Sequence, residues 1–163
     1  MIDLSDAPVS ALLELHGDLL AELRRRNVVR SSSNPTGDYG ELLFSRAFSW
    51  TLNGNSSADA DAVDANGMRY QIKCRKLETA AGSRQLGFIR RLPDKPFDHL
   101  AAVLLDGKYR VLRGAIIPYE IVELRATYVD SVKAWRFVLR DSVWDLASVI
   151  DVTEKLRAAE AAI

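Results

Sequence analysis

The chain has little of three features that would each point to a particular class of protein. It contains one cysteine, Cys74, so it can form no internal disulfide. No apolar run approaches the roughly eighteen residues that a membrane-spanning helix needs. The amino-terminal residues have neither the basic start nor the apolar core of a signal peptide. These absences predict a cytoplasmic protein whose cysteine stays reduced and packs in the core.

Several motifs that carry chemistry are also missing. The two histidines, His16 and His99, have no Cys or His at the spacing of zinc ligands. The serine run at 31–33 is not part of a Gly-x-Ser-x-Gly elbow, and no glycine-rich loop for nucleotide phosphates occurs. The sequence therefore argues against a zinc site, a serine hydrolase and a nucleotide-binding loop.

The size and composition suit one globular unit. With 163 residues and 48% hydrophobic content, the chain is long enough for one well-buried core and short for two ordinary domains. A single domain over residues 1–163 is therefore predicted. Lys and Arg together number 22, as do Asp and Glu, so the formal net charge is zero. The total charge gives no support for nucleic-acid binding, and only its distribution is informative.

A basic stripe stands out within this balanced composition. Between Arg69 and Arg91, seven cations stand against one acid, Glu78. Such a stripe fits a surface that faces phosphates, and it fits equally a solvated surface balanced by acids elsewhere in space. Besides Lys73, the residues of this basic stripe, each a predicted phosphate contact, are Arg69, Arg75, Lys76, Arg84, Arg90 and Arg91.

Hydrophobic spacing and capping residues predict four helices. Leucines between 12 and 23 predict an amphipathic helix over residues 7–26, an accessory element of the domain. Thr36 is expected to cap a helix that runs to Trp50, and Asp151 a final helix that runs to Ala162. Pro118 is expected to open a short helix that ends near residue 124.

The remaining pattern predicts strands. Residues 100–105 form a nearly continuous apolar run, as expected for a central strand covered on both faces. Further strands are predicted over residues 109–117 and 132–139. The order helix, helix, hairpin, strand, strand, helix, strand, helix predicts an α/β (α+β mixed) fold with a central mixed β-sheet flanked by helices.

Residues 61–75 predict a β-hairpin. Ala65-Asn66-Gly67 is a three-residue loop whose glycine occupies the last, left-handed position. Strand positions then pair symmetrically about Asn66, so Asp61 lies opposite Gln71. In the same register Asp59 lies opposite Lys73.

The alternation of the second strand divides its side chains between two faces. Gln71 and Lys73 share one face with Asp61, whereas Tyr70, Ile72 and Cys74 point to the other. A carboxylate, an amide and an ammonium group are therefore expected to converge on one small patch.

The pattern Asp61, then Gln71-x-Lys73, resembles the signature of the PD-(D/E)XK, or restriction endonuclease-like, nuclease superfamily. The glutamine before x-Lys is similar to the Mrr-like variant. The resemblance covers roughly residues 36 to 118, including a preceding helix with Glu41 and a strand after the hairpin. The sequence departs from the common pattern because no proline precedes Asp61 and because Gln71 is uncharged.

The resemblance implies a restriction endonuclease-like fold and an Mg²⁺-dependent endonuclease that cuts duplex DNA, with Mn²⁺ as a substitute for Mg²⁺. It implies a restriction or defence role and a homodimer, and it leaves open a partner methyltransferase or defence subunit. The implied metal ligands are Asp61, Gln71, the backbone carbonyl of Ile72, and Glu41. Lys73 would orient or deprotonate the attacking water, so the implied catalytic set is Asp61, Gln71, Lys73 and Glu41.

Other interpretations of these residues stay open. Asp61 can simply end a loop, and Glu41 can be an ordinary acid on a helix surface. Asp64 is expected to be structural, because the register points it to the opposite face and Asp commonly initiates turns. Asp59 is either a secondary acid or a solvated loop residue.

Two alternative functions also remain. The uncharged Gln71 and the zero net charge favour a catalytically inactive DNA-binding or assembly module with the nuclease-like fold. A third hypothesis is an interaction protein whose leucine-rich first helix mediates assembly and whose motif is accidental.

Overall fold

In the computed structural model, residues 3–30, 34–54, 60–79 and 81–163 are described. These ranges contain four α-helices and eight strands. In chain order they are α1 (Val9–Arg25), α2 (Thr36–Phe48), β1 (Thr51–Leu52), β2 (Ala62–Val63), β3 (Arg69–Lys76), β4 (His99–Leu105), β5 (Val111–Pro118), α3 (Tyr119–Arg125), β6 (Thr127–Val129), β7 (Ala134–Arg136), β8 (Ile150–Asp151) and α4 (Thr153–Ala161).

Six strands form one mixed sheet in the order β1-β2-β3-β4-β5-β8, and β6 pairs with β7 separately. Strands β3 and β4 are parallel, whereas the other neighbours in the sheet are antiparallel. The predicted fold class, a mixed sheet flanked by helices, is confirmed. Strand β4 is buried along almost its whole length, which explains its continuous apolar sequence.

Helices α2 and α4 cover one face of the sheet, called the helical face below. On β3, the alternation turns Tyr70, Ile72 and Cys74 towards this face. A Cβ atom on Gly40 of α2 would lie only 2.6 Å from the Cβ of Cys74, so only glycine permits this approach. Burial raises the pKa of the Cys74 thiol to about 12, which suits an inert packing residue.

The opposite face, called the irregular face below, is covered largely without long helices. The elements that pack against this face are α3, the β6–β7 pair and the connection between β3 and β4. Parallel neighbours usually require a helical crossover, yet the described residues of this connection include only a short 3₁₀ helix at Leu92–Asp94. Hydrogen bonds from Leu86 to Phe137 and between Ile89 and Trp135 hold it in place.

Helix α1 packs less tightly than the others. Leu20 is the only side chain of α1 that is fully buried, while Val9, Leu13 and Leu19 are exposed. The predicted accessory helix over residues 7–26 therefore agrees with the structure to within two residues at each end. Among the described residues, no helix is both long enough and apolar enough to span a membrane.

Three predictions about element boundaries are wrong. Thr36 does not cap α2, because Pro35 holds the cap position and the Thr36 amide donates to Asn34 Oδ1. Asp151 is not the cap of α4, although its carboxylate accepts a hydrogen bond from the Thr153 amide. The strand expected over residues 132–139 is shorter, because only Ala134–Arg136 pairs with β6.

Candidate active site

The β2–β3 hairpin has the predicted register. Ala62 pairs with Tyr70 and Val63 with Arg69, so the next pair places Asp61 opposite Gln71. Gly67 has a φ of +80°, the left-handed conformation that the loop requires. The prediction that Asp61 meets Gln71 on one face of the hairpin is therefore confirmed.

Asp64 belongs to the turn. Its Oδ1 accepts hydrogen bonds from the amides of Asn66 and Met68, and its Oδ2 accepts one from the Tyr70 hydroxyl. These bonds stabilise the ionised carboxylate, and they hold the pKa of Asp64 below its ordinary value. The structure thus gives Asp64 the structural role that the sequence predicts.

Asp61 is fixed by three contacts to β3. Its amide donates to the Tyr70 carbonyl at 2.9 Å, and its Oδ2 accepts hydrogen bonds from the Ile72 amide at 2.7 Å and from Gln71 Nε2. The amide and carbonyl of a strand residue point to the same side, so the Ile72 carbonyl faces the side of β3 where Asp61 lies. A carboxylate, a side-chain amide and a backbone carbonyl are thereby brought together.

Lys73 lies two residues after Gln71, on the same face of β3. It is half-buried, and a Cβ atom on Gly87 would lie 3.8 Å from its Cδ. Burial lowers the pKa of Lys73, and the negative charge of Asp61 partly offsets this effect. A lysine with a lowered pKa can exchange a proton near neutral pH more readily than an exposed one.

Glu41 approaches from the helical face, because it lies on α2. Its carboxylate forms an ion pair with the Arg30 guanidinium, and Arg30 Nη1 donates to the Asn53 carbonyl at 2.9 Å. The Asn53 amide in turn donates to the Asp61 carbonyl at 2.8 Å. Glu41 is therefore linked to Asp61 through Arg30 and Asn53, and the contacts of the described residues do not join the two carboxylates directly.

Arg30 is the part of the site that the sequence does not reveal. Besides its contacts to Glu41 and Asn53, its amide donates to Asp38 Oδ2 at 2.8 Å. It thus ties the chain before α2 to α2 itself and to the end of β1. Its partners lie as far as 23 residues away in sequence, and the polar stretch around Arg30 has no periodicity from which they could be inferred.

The donor atoms around Asp61 suit a hard cation such as Mg²⁺. No group of three or more His, Cys, Asp or Glu side chains that could hold a metal occurs within residues 3–30, 34–54, 60–79 and 81–163. Mg²⁺ nevertheless needs few protein ligands, since it prefers oxygen and usually keeps several waters. Asp61 Oδ1, the Ile72 carbonyl and the side-chain oxygen of Gln71 fit a hydrated ion of this kind.

Most of the basic stripe is engaged in ion pairs. Arg75 is an exception: it donates to the Ser83 carbonyl and shares the face of Lys73, while Arg90 is exposed. The pairs are Arg69 with Asp98, Lys76 with Glu78, Arg84 with Asp141, and Arg91 with Asp94. The pairing balances much of the stripe's charge locally, and contact with phosphates stays a prediction.

The other candidate residues lie away from this patch or cannot be placed. His99 stacks on Tyr70 with ring centroids 5.7 Å apart, on the helical face. Trp50 stacks on the same tyrosine at 3.7 Å, so it packs in the core. Asp59 and the serines at 31–33 lie outside the described residues.

Comparison with known protein families finds no matching family model, and comparison with curated proteins finds no match. The function must therefore be inferred from the chemistry of this site.

Proposed function

We propose that the protein is an Mg²⁺-dependent endonuclease of the restriction endonuclease-like kind, which hydrolyses phosphodiester bonds in duplex DNA. The main support is the register of the β2–β3 hairpin. It brings Asp61 together with Gln71 and the Ile72 carbonyl, and it places Lys73 next along the same face. These are the positions to which the resemblance assigns metal binding and catalysis.

Hydrolysis requires a nucleophilic water and stabilisation of the negative charge that develops on the phosphate oxygens. Asp61, Gln71 and the Ile72 carbonyl would hold Mg²⁺, which supplies charge neutralisation and a more acidic water when bound. Gln71 orients the Asp61 carboxylate through its Nε2 hydrogen bond. Lys73 orients the attacking water or accepts a proton from it, and its lowered pKa favours this role.

Glu41 supports the site indirectly in this proposal. Its ion pair with Arg30 neutralises its charge, and Arg30 positions Asn53 against the backbone of Asp61. We therefore assign Glu41 and Arg30 to positioning, with Glu41 available to a metal only through water. A homodimer with one site for each DNA strand, and a cytoplasmic location that keeps Cys74 reduced, complete the proposal.

A second candidate function is a DNA-binding or assembly module that does not cut. The favouring observation is the hydrogen bond from Gln71 Nε2 to Asp61, because an amide replaces the second negative charge of the metal site. Metal-dependent turnover separates this candidate from the nuclease.

The decisive experiment is nicking and linearisation of plasmids of varied sequence and methylation, in Mg²⁺ and in Mn²⁺. We expect Lys73→Ala and Asp61→Asn each to lower the cutting rate by about 100-fold or more, because the first removes the proposed acid–base group and the second the charged metal ligand. Lys108→Ala, which removes an exposed lysine from the β4–β5 turn, is the matched control and should cut at the wild-type rate.

Melting curves verify that each variant is folded. Equal cutting by wild type and both site variants would assign the activity to a contaminant and overturn the proposal. Binding of DNA without cutting by the wild-type protein would favour the second candidate.

A further inference from the structure

A polar cavity lies beside the β6–β7 pair, and neither Asp61 nor Lys73 is among its lining residues. Its volume is about 320 Å³, and three arginines contribute to its lining. The lining residues, called the arginine pocket below, are Arg125, Thr127, Arg136, Val138, Arg140 and Ser142. We propose that the arginine pocket binds a phosphate group of the nucleic-acid backbone.

The local sequence explains why the arginines converge. Phe137 and Leu139 are almost fully buried, so the alternating residues Arg136, Val138 and Arg140 point outwards. Thr127 pairs with Arg136 across the two strands, which places its hydroxyl on the same face.

No acidic partner of the pocket's arginines occurs among the described residues. Within the described parts of the chain, neither Arg136 nor Arg140 forms an ion pair, and the described contact of Arg125 is a 3.5 Å hydrogen bond to Ser142. The neighbouring Asp141 is already held by Arg84 at 2.6 Å and by Arg113 at 3.1 Å. Like charges around one cavity repel each other, so a bound anion would stabilise the arrangement.

The chemistry of the lining favours phosphate. Guanidinium groups donate paired hydrogen bonds to phosphate oxygens, and serine and threonine hydroxyls are common additional donors. Among the described residues, the lining contains no aromatic ring on which a base could stack, since Tyr128 and Trp135 pair on the opposite face of β6–β7. The pocket is therefore suited to the phosphate backbone of a nucleic acid rather than to stacking on its bases.

The position of the pocket relative to Lys73 supports nucleic acid over a free anion. Gln85 bridges to Val138 of the pocket, while Gly87, two residues later, lies over the side chain of Lys73. One short segment thus adjoins both sites on the irregular face. A duplex bound at Lys73 can place another of its phosphates in the pocket, a step that rests on the proposed function.

The test measures binding of a labelled duplex of mixed sequence in EDTA, where metal-dependent cutting cannot occur. We expect the double variant Arg136→Gln/Arg140→Gln to weaken binding by about 10-fold and to reduce the slope of log K against log salt concentration by about 2. The control, Arg25→Gln/Arg26→Gln on α1, removes the same charge from exposed residues and should change binding by less than about 2-fold.

Equal DNA binding by the two double variants would overturn the proposal that the arginine pocket binds a backbone phosphate, and it would leave the nuclease proposal standing. If wild type binds DNA and the pocket variant binds it more weakly, but wild type cuts no DNA in Mg²⁺, the nuclease proposal is wrong and the pocket proposal stands. A second arm adds inorganic phosphate and follows the Tm. If phosphate stabilises wild type but not the pocket variant, and DNA binding is unchanged, the ligand is a free phosphate and the backbone proposal is wrong.

Discussion

The two faces of the sheet differ in how they are covered and in what they carry. On the helical face, α2 and α4 lie so close to the strands that a Cβ on Gly40 or on Gly114 would overlap a neighbouring side chain. On the irregular face, the cover is the β3–β4 connection, α3 and the β6–β7 pair. The helical face thus provides a rigid support, and the irregular face leaves polar side chains partly accessible.

Strand β3 shows what this difference means for function. Its alternate residues Tyr70 and Ile72 are buried under the helices, whereas Gln71 and Lys73, which each follow one of them, stay half-buried on the irregular face. The two-residue period of one strand therefore separates the packed side chains from those of the candidate site. Sites placed on a rigid element and covered by loops combine fixed geometry with access for a ligand.

Two glycine substitutions, one against each face of β3, test this comparison with the largest expected effect. Gly40→Ala places a Cβ 2.6 Å from the Cβ of Cys74, and neither atom can move without its backbone. We expect a loss of about 1 to 2 kcal/mol after the gain in helix propensity, hence a Tm lower by about 2 to 8 °C.

Gly87→Ala is the matched substitution on the irregular face. Its Cβ meets Lys73 Cδ at 3.8 Å, an ordinary contact, and the position is exposed. We expect the Tm to stay within about 2 °C of wild type. Equal losses of Tm in the two variants would show that the faces are packed alike and would contradict the comparison.

The helical face and the hairpin could largely be predicted from sequence, because their signals are local. The spacing of Leu42, Leu43 and Phe48 indicates α2, and the Ala65–Gly67 loop sets the register that places Asp61 opposite Gln71. Turn chemistry and periodicity act over a few residues, so one sequence is enough to interpret them.

The irregular face could not be predicted in the same way, because distant residues define it. Strands β6 and β7 each span three residues, which is too short for a period to be recognised. The basic stripe looks like a free cationic surface in sequence, yet Arg84 pairs with Asp141, which lies 57 residues away. Arg30 and the arginine pocket were missed for the same reason.

The proposed metal site on the irregular face is tested by Gln71→Glu, which has a smaller expected effect. In EDTA the new carboxylate meets that of Asp61 and the hydrogen bond from Gln71 Nε2 is lost, so we expect a Tm about 2 to 4 °C below wild type. Millimolar Mg²⁺ should raise the Tm of this variant again, because two carboxylates bind the ion more tightly than one.

The control is Gln85→Glu, which adds the same charge on the irregular face outside the site. Its Tm should respond to Mg²⁺ no more than that of wild type. If Mg²⁺ raises the Tm of both glutamate variants equally, or of neither, Asp61 and Gln71 do not form a metal site.

The smallest effect concerns the charge of Lys73. Burial lowers the pKa of Lys73 below the ordinary 10.5, because the ammonium charge is less favourable in the folded protein than in the unfolded chain. Lys73→Met removes that charge, so we expect the Tm at pH 7 to rise by about 1 to 3 °C. The rise is modest because Asp61 loses a favourable neighbouring cation.

The pH dependence identifies the cause of this gain. Between the lowered pKa and 10.5, the unfolded chain binds the lysine proton and the folded chain does not, so wild-type stability from this group rises with pH. The advantage of Lys73→Met should therefore be largest near pH 7 and shrink towards pH 10. Lys108→Met, at an exposed lysine, should differ from wild type by the same amount at every pH. If the Tm difference between Lys73→Met and wild type stays constant with pH, burial does not destabilise the Lys73 ammonium group. That result would remove the reason to assign Lys73 a proton-transfer role.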